Sequence, residues 1–252
     1  MKRKGMLLFI FLCAVCNTFG HNYLDADDTV TEIPDISVSR AVYTTLDTPK
    51  EVDVYTFEAK KGQEIYLQIT IPQLERLKDF TPAFAVFGLE GILWTERDDA
   101  WQKEYADIRL LRLSDFNYGK EKIQNALKKA HVHSHGNPTI LRVTSNGGYE
   151  RFHEHFTGTK YLTRQSISLP APKPGRYYVL VYSPDNDTGK YVFAPGRKER
   201  FGVLDVLGLP ATRITVRQFM EESITGDVVF WSLFAAGAAV GIGFGVYKLV
   251  SR

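Results

Sequence analysis

Apolar positions in this chain repeat with a period of two far more often than with the helical 3.6. In "QEIYLQITIP", Ile65, Leu67, Ile69 and Ile71 fall on one face. In "EVDVYTFEA", Val52, Val54 and Thr56 alternate with Asp53, Tyr55 and Phe57, and "GRYYVLVYS" sets Tyr177, Val179 and Val181 against Tyr178, Leu180 and Tyr182. β-Branched and aromatic residues fill these runs, which predicts half-buried strands. "KKGQ" (60–63) and "SPDNDTGK" (183–190) supply the Gly, Asn, Asp and Pro of tight turns between them. Many short strands joined in this way predict a mainly β fold, an antiparallel jelly-roll-like sandwich over 49–205.

Helical periodicity is scarce. "KEKIQNALKKAH" (120–131) brings Ile123, Ala126, Leu127 and Ala130 to one side, with Lys128, Lys129 and His131 at the negative end of the helix dipole. It lies in a polar stretch, about 95–137, read as an insertion between sandwich strands. A second short helix is expected at 214–222 in a juxtamembrane segment, 206–226, where Ile214, Phe219 and Met220 are available to lipid headgroups.

The two ends differ from this body. Lys2, Arg3 and Lys4 precede the apolar run Met6–Cys16, and the small residues Thr18 and Gly20 follow. That is the layout of a secretory signal peptide, residues 1–20, with cleavage after Gly20 preferred and after Cys16 as the competitor. A 21–48 segment follows outside the cell. Near the other end, 228–247 is twenty residues without a charge, bounded by Asp227 and Lys248. About twenty apolar residues span a bilayer as a helix, so 227–248 is read as a transmembrane segment. Lys248 and Arg252 place 249–252 in the cytoplasm. The expected protein is single-pass, with its N-terminal domain periplasmic or exterior.

Composition narrows the class. Both cysteines, Cys13 and Cys16, lie in the leader, so the mature chain has no thiol and no disulfide. A secreted eukaryotic domain of this size more often has them, which favours a bacterial envelope protein. Removing Lys2, Arg3 and Lys4 takes the formal charge from +2 to −1. A basic nucleic-acid binder is excluded on that balance.

A resemblance supports the same fold. "EVDVYTFEAKKGQEIYLQITIP", followed by "LPAPKPGRYYVLVYSPDNDTGKYVFAPG", resembles the bacterial pre-peptidase C-terminal type of β-sandwich over roughly 50–72 and 169–196. The shared features are an aspartate ahead of an aromatic strand, the "KKGQ" turn and the "PGRYYVLVY" strand. "GGYERFHEHFTGTKYLTRQSISLP", with "ERF" again at 199–201, is similar to a group of bacterial single-pass membrane proteins of the same layout. The resemblance implies a fold and a location. It brings no activity.

Candidate chemistry centres on histidine. "HVHSHG" places His131, His133 and His135 at alternate positions, and His153 and His155 follow in "HEH". Each group shares a face in an extended chain. Imidazole suits copper or zinc, and Glu150 and Glu154 offer oxygen. The competing reading is a solvated, histidine-rich loop. His21, as a mature N-terminus, offers an amine and imidazole for copper. Asp185 and Asp187 offer oxygen to calcium, yet a plain turn explains them. Trp94, Trp101, Tyr105, Phe116, Tyr118, Tyr149, Phe152 and Phe156 are read as core packing, with a carbohydrate or protein platform as the alternative. Gly237, Gly241 and Gly245 form a small-xxx-small stripe suited to a homodimer or a partner helix in the membrane. No nucleophile elbow, HExxH or P-loop occurs. The leading expectation is therefore a non-enzymatic, membrane-anchored binding protein. Copper or zinc delivery is the alternative, and an accessory role in envelope-polymer processing the weaker one.

Overall fold

The computed structural model describes residues 22–24, 30–88, 108–112, 139–143, 149–200 and 203–251. Twelve strands fall in two six-stranded sheets. They are β1 (Asn22–Leu24), β2 (Thr31–Glu32), β3 (Arg40–Leu46), β4 (Val52–Ala59), β5 (Glu64–Pro72), β6 (Ala83–Gly88), β7 (Ile108–Arg112), β8 (Thr139–Val143), β9 (Glu150–Glu154), β10 (Thr159–Pro170), β11 (Gly175–Tyr182) and β12 (Gly189–Pro195). The first sheet runs β1-β3-β12-β5-β10-β9 and the second β2-β4-β11-β6-β8-β7. Two helices follow, α1 (Val203–Phe219) and α2 (Thr225–Val250).

The period-two runs become strands with their apolar parity turned inward. Ile65, Leu67, Ile69 and Ile71 of β5 pack with Tyr55 and Phe57 of β4, Tyr177, Val179 and Val181 of β11, and Tyr191 and Phe193 of β12 in one core cluster. Tyr55 stacks on Phe193 at 4.3 Å and Phe57 on Tyr177 at 5.5 Å. Fully burying such a side chain contributes about 1.5–3 kcal/mol.

The second sheet is buried on both faces. Val52, Val54, Tyr178, Leu180, Tyr182, Ala83, Ala85 and Phe87, which point away from that cluster, are buried as well. This explains why "AFAVF" and "YYVLVY" read as continuous apolar runs.

Four expectations change. The sheets are not wholly antiparallel, because β1 pairs parallel with β3 and β2 with β4. β3 is an inner strand of the first sheet although it lies upstream of the boundary read at 49. Part of the 95–137 stretch belongs to the sandwich, since β7 pairs with β8 along the second sheet. The rest of that stretch, with the helix expected at 120–131, lies outside the described residues. Finally, α1 starts at Val203 rather than 214 and carries Pro210 inside it.

Gly196, at the end of β12, has φ of +75°, and an added Cβ would lie 2.3 Å from the Val38 carbonyl oxygen. Only glycine fits there.

The described residues form two compact units. The sandwich is one. The other holds the β9–β10 turn, His155–Thr159, with the two helices. Among the described residues no helix is long and apolar enough to cross a membrane. The α2 backbone is continuous for 26 residues, while the side chains at 238–240, 242–243, 245–246 and 248–250 lie outside the described set.

Candidate functional site

The histidine question falls partly on β9, the edge strand beside β10. His153 lies on that strand and His155 in the turn after it, both exposed. Alternation puts Arg151 and His153 on one face of β9, and Glu150, Phe152 and Glu154 on the other. Glu150 and Glu154, the expected oxygen donors, are therefore turned away from His153, and an arginine shares its side. Among the described residues no group of three or more His, Cys, Asp or Glu converges on a metal position. His131, His133, His135 and His21 lie outside the described residues, as do Trp94, Trp101, Tyr105, Phe116 and Tyr118.

The aromatic residues of this strand are not core. Tyr149 is 51% and Phe152 44% exposed. Phe152 lies 6.0 Å from the ring of Tyr161, whose hydroxyl is 3.2 Å from that of Tyr43. Arg151 and Arg164 both sit over the Tyr149 ring, at 5.9 and 5.3 Å. Tyr149 with Arg151 and Arg164 makes a small cationic–aromatic group at the sheet edge, with Phe152 on the opposite parity of the strand, and the alternating sequence "YERF" does not announce it.

In the second unit the turn after β9 is held by α1. Arg217 Nη1 donates to the Thr157 carbonyl at 2.8 Å, and the hydroxyls of Thr157 and Thr159 lie 2.6 Å apart. Arg213 sits over Phe156 at 5.7 Å. Asp227, in the first turn of α2, accepts from Arg213 Nε at 2.6 Å and from Arg217 Nε at 2.9 Å. Arg217 also meets Glu222 at 3.0 Å and donates to the Ser223 carbonyl. Met220 and Val216 are buried, so Met220, expected at lipid headgroups, is not available to them. α1 stops at Phe219, with Glu221 in the left-handed region at φ 61°.

Asp185 and Asp187 behave as turn residues. Asp185 accepts from the Thr81 hydroxyl at 3.2 Å, and the Asp187 amide donates to Ser183 Oγ at 3.0 Å. Asn186 takes a positive φ of 60°, as Asn does in turns. Gly237 and Gly241 have nothing within 4 Å of an added Cβ, and Gly245 lies further along the same helix.

A buried polar chain crosses the core where the sequence pattern shows only an aspartate on an aromatic parity. Tyr191 donates to Asp53 Oδ2 at 2.6 Å, and the Tyr55 and Tyr191 hydroxyls are 2.8 Å apart. Tyr191 has a single hydroxyl proton, already given to Asp53, so Tyr55 is the donor to Tyr191. Burial, with the Asp53 charge beside them, holds both phenols neutral and well above their ordinary pKa. The chain links β4 of one sheet to β12 of the other. It is a closed structural pin rather than an open reactive group. Tyr177 likewise donates to the Lys173 carbonyl at 2.6 Å and fixes the entry to β11.

Among the described residues, shallow clefts lie beside Asp47, Arg76 and Lys190, about 310 Å³, and beside Glu64, Tyr66 and Arg197, about 290 Å³. In the second, Arg197 covers the Tyr66 ring at 4.0 Å and meets Glu64 at 3.3 Å, which closes its charge internally.

The class defined by these features is a two-sheet β protein followed by a helix pair. No family model matches the chain, and no curated protein matches it. Solved structures similar to it include the pre-peptidase C-terminal domain of collagenase from Bacillus anthracis, 14% identical, covering 66% of this chain and 94% of that one, TM-score 0.28. PliG of Aeromonas hydrophila, a periplasmic inhibitor of g-type lysozyme, is 11% identical over 69% of this chain and 100% of its own, TM-score 0.29. CorA, a surface-associated copper-binding protein of Methylomicrobium album BG8, is 10% identical over 69% and 100%, TM-score 0.35. Likeness at this level does not carry a ligand or a family from those proteins to this one.

Proposed function

We propose that the chain is a membrane-anchored, extracytoplasmic β-sandwich that acts by binding a partner rather than by catalysis. The observation that supports the anchor is the exposure of α2. Val228, Val229, Phe230, Leu233, Phe234, Phe244 and Tyr247 are all exposed, and at 100° per residue they spread over about 240° of the helix circumference. A docking partner covers one stripe, whereas lipid accommodates apolar side chains on every side. At 1.5 Å per residue, 26 helical residues reach about 39 Å, more than the hydrocarbon core of about 30 Å. Gly237, Gly241 and Gly245 then offer a face for self-association within the bilayer.

Binding is favoured over catalysis because the buried titratable chain, Asp53–Tyr191–Tyr55, is closed in the core with neutral phenols. On one face of the first sheet's edge the accessible residues are instead Tyr149, Arg151 and His153, which we read as a recognition surface. Copper or zinc binding by His153 and His155 together with His131, His133 and His135 is the alternative, and calorimetric titration of both metals tests it. Sub-micromolar, histidine-dependent binding would favour it over the partner-binding reading.

The anchor is tested by alkaline carbonate extraction of membranes. The full chain is expected to stay in the pellet, and Phe230→Asp with Leu233→Asp and Phe234→Asp to move to the supernatant. Extraction of the unaltered chain would refute it. For sidedness, Lys61→Cys in the exposed "KKGQ" turn is expected to react with a membrane-impermeant maleimide in intact cells with a permeable outer surface. Labelling only after lysis would reverse the orientation.

A further inference from the structure

The pairing of β10 with β5 shifts between Thr163 and Gln165, leaving Arg164 without a partner residue on β5. Such a bulge re-aims a side chain out of the strand's alternation. The Arg164 side chain is nonetheless buried, at 7% exposure. Its Nη2 donates to the Lys78 carbonyl, and the Tyr149 ring lies 5.3 Å from the guanidinium carbon. Nε has no hydrogen-bond partner. Among the described residues no carboxylate stands within ion-pair distance of it, and Asp79 acts on it only at longer range. Burial without a counter-ion pushes its pKa below the ordinary value. A buried guanidinium with neither an acid nor a full set of acceptors is costly to keep. Gln165, the next residue, shows the same imbalance with opposite sign. Its amide donates to the Pro82 carbonyl at 3.0 Å, while its buried Oε1 has no partner.

We propose that Arg164 is the cationic floor of an oxyanion-binding site covered by Tyr149, and that the ligand is a carboxylate. A guanidinium carries five N–H donors, and the single bond to Lys78 leaves its Nε edge free for a flat two-oxygen acceptor. The planar fork matches the two coplanar oxygens of a carboxylate; Arg151, which lies over the same Tyr149 ring at 5.9 Å, adds a second positive charge, and Asp79 acts only at longer range. Tyr149 is half exposed, and its ring can leave the guanidinium without emptying any core position. The site deepens the binding reading above and rests on it, but not on the membrane anchor.

The test uses the full chain in detergent micelles, with sodium acetate as the free carboxylate, poly-glutamate as the polymer-borne one, and chloride at matched ionic strength as control. The Arg164 Nε–H resonance is expected to shift saturably with acetate. Tm is expected to rise with acetate in the unaltered chain but not in Arg164→Met. Arg164→Met alone is expected to leave Tm unchanged or higher, and Arg164→Lys to weaken acetate binding about tenfold, because a lysine keeps the charge and loses the fork. A shift with poly-glutamate as well as acetate identifies a carboxylate on a polymer, and with acetate alone a small carboxylate; both support the site. An unmoved resonance overturns the proposal. So does an acetate response retained in Arg164→Met, or a stronger response to inorganic phosphate than to acetate. If Arg164→Met does not fold, the resonance titration of the unaltered chain decides. Loss of the anchor in carbonate extraction would leave these results untouched, so the two readings fail separately.

Discussion

Phenylalanine is treated in opposite ways by the two units of this chain. In the sandwich, Phe57, Phe84, Phe87 and Phe193 are wholly buried, while in α2 Phe230, Phe234 and Phe244 are more than half exposed. The first sheet keeps the apolar side of its alternation inside, and the second is buried on both faces. α2 has no charged side to turn out over 228–247. The same residue types are thus matched to two different solvents, water for the strands and, under the proposed anchor, hydrocarbon for the helix.

That contrast can be broken at several points. The largest effect is expected in the core. Phe193→Ala empties a position stacked on Tyr55 and should destabilise the sandwich by about 3–5 kcal/mol in denaturant unfolding. Phe234→Ala in α2 should leave the same transition unmoved within about 0.5 kcal/mol. Equal losses would mean that α2 is part of one water-soluble core. Next, Asp227→Asn weakens the bonds to Arg213 and Arg217 that join α2 to α1. Loss of charge-assisted bonds worth about 1.5–3 kcal/mol each should appear as faster hydrogen exchange at 216–224, with the strands of the sandwich unaffected. Slower or unchanged exchange there would mean that Asp227 does not clamp the two helices.

A smaller effect is expected from Tyr191→Phe, which leaves Asp53 and Tyr55 without their shared partner. The cost should be about 1–3 kcal/mol, read as a shift of midpoint without a change of slope. The same tyrosines set an alkaline limit. Their folded pKa lies above the ordinary value of 10.0, so the unfolded chain releases their protons first. Stability from these groups is complete below about pH 10 and falls as pH rises beyond it, by about 1.4 kcal/mol per unit for each tyrosine. Tyr191→Phe should flatten that fall. An unchanged alkaline slope would mean that the pair is not the titrating element.

Much of the sandwich is legible along the chain, because alternation is local. The segments around Val52–Ala59, Glu64–Pro72 and Gly175–Tyr182 each carry their own inward parity. β7 is hidden because "IRLLR" is short and sits in polar surroundings, and its strand character depends on pairing with β8. The parallel edges at β1 and β2 depend on partners further along the chain in the same way. The pattern makes α1 too short because Gly208 and Pro210 weaken any helical periodicity before 214, yet the helix runs through them. The site residues are less legible still. Arg164 looks like an ordinary strand arginine until a bulge and the Lys78 carbonyl, 86 residues away, give it its surroundings. Tyr149 and Phe152 look like core by residue type, and their exposure follows from the edge position of β9, which composition does not encode. Spacing is enough to single out His153, but it does not reveal that Glu150 and Glu154 face away from it.

The most direct test of the contrast uses Trp231, which sits between the rings of Phe230 and Phe234 near the start of α2. With Trp94 and Trp101 changed to Phe, Trp231 is the one remaining indole. In vesicles of brominated lipid its fluorescence is predicted to be strongly quenched relative to unbrominated vesicles, with quenching deepest for bromines near the headgroup end of the acyl chain. Equal fluorescence in the two kinds of vesicle would place Trp231 in water or in protein, and would contradict the anchor.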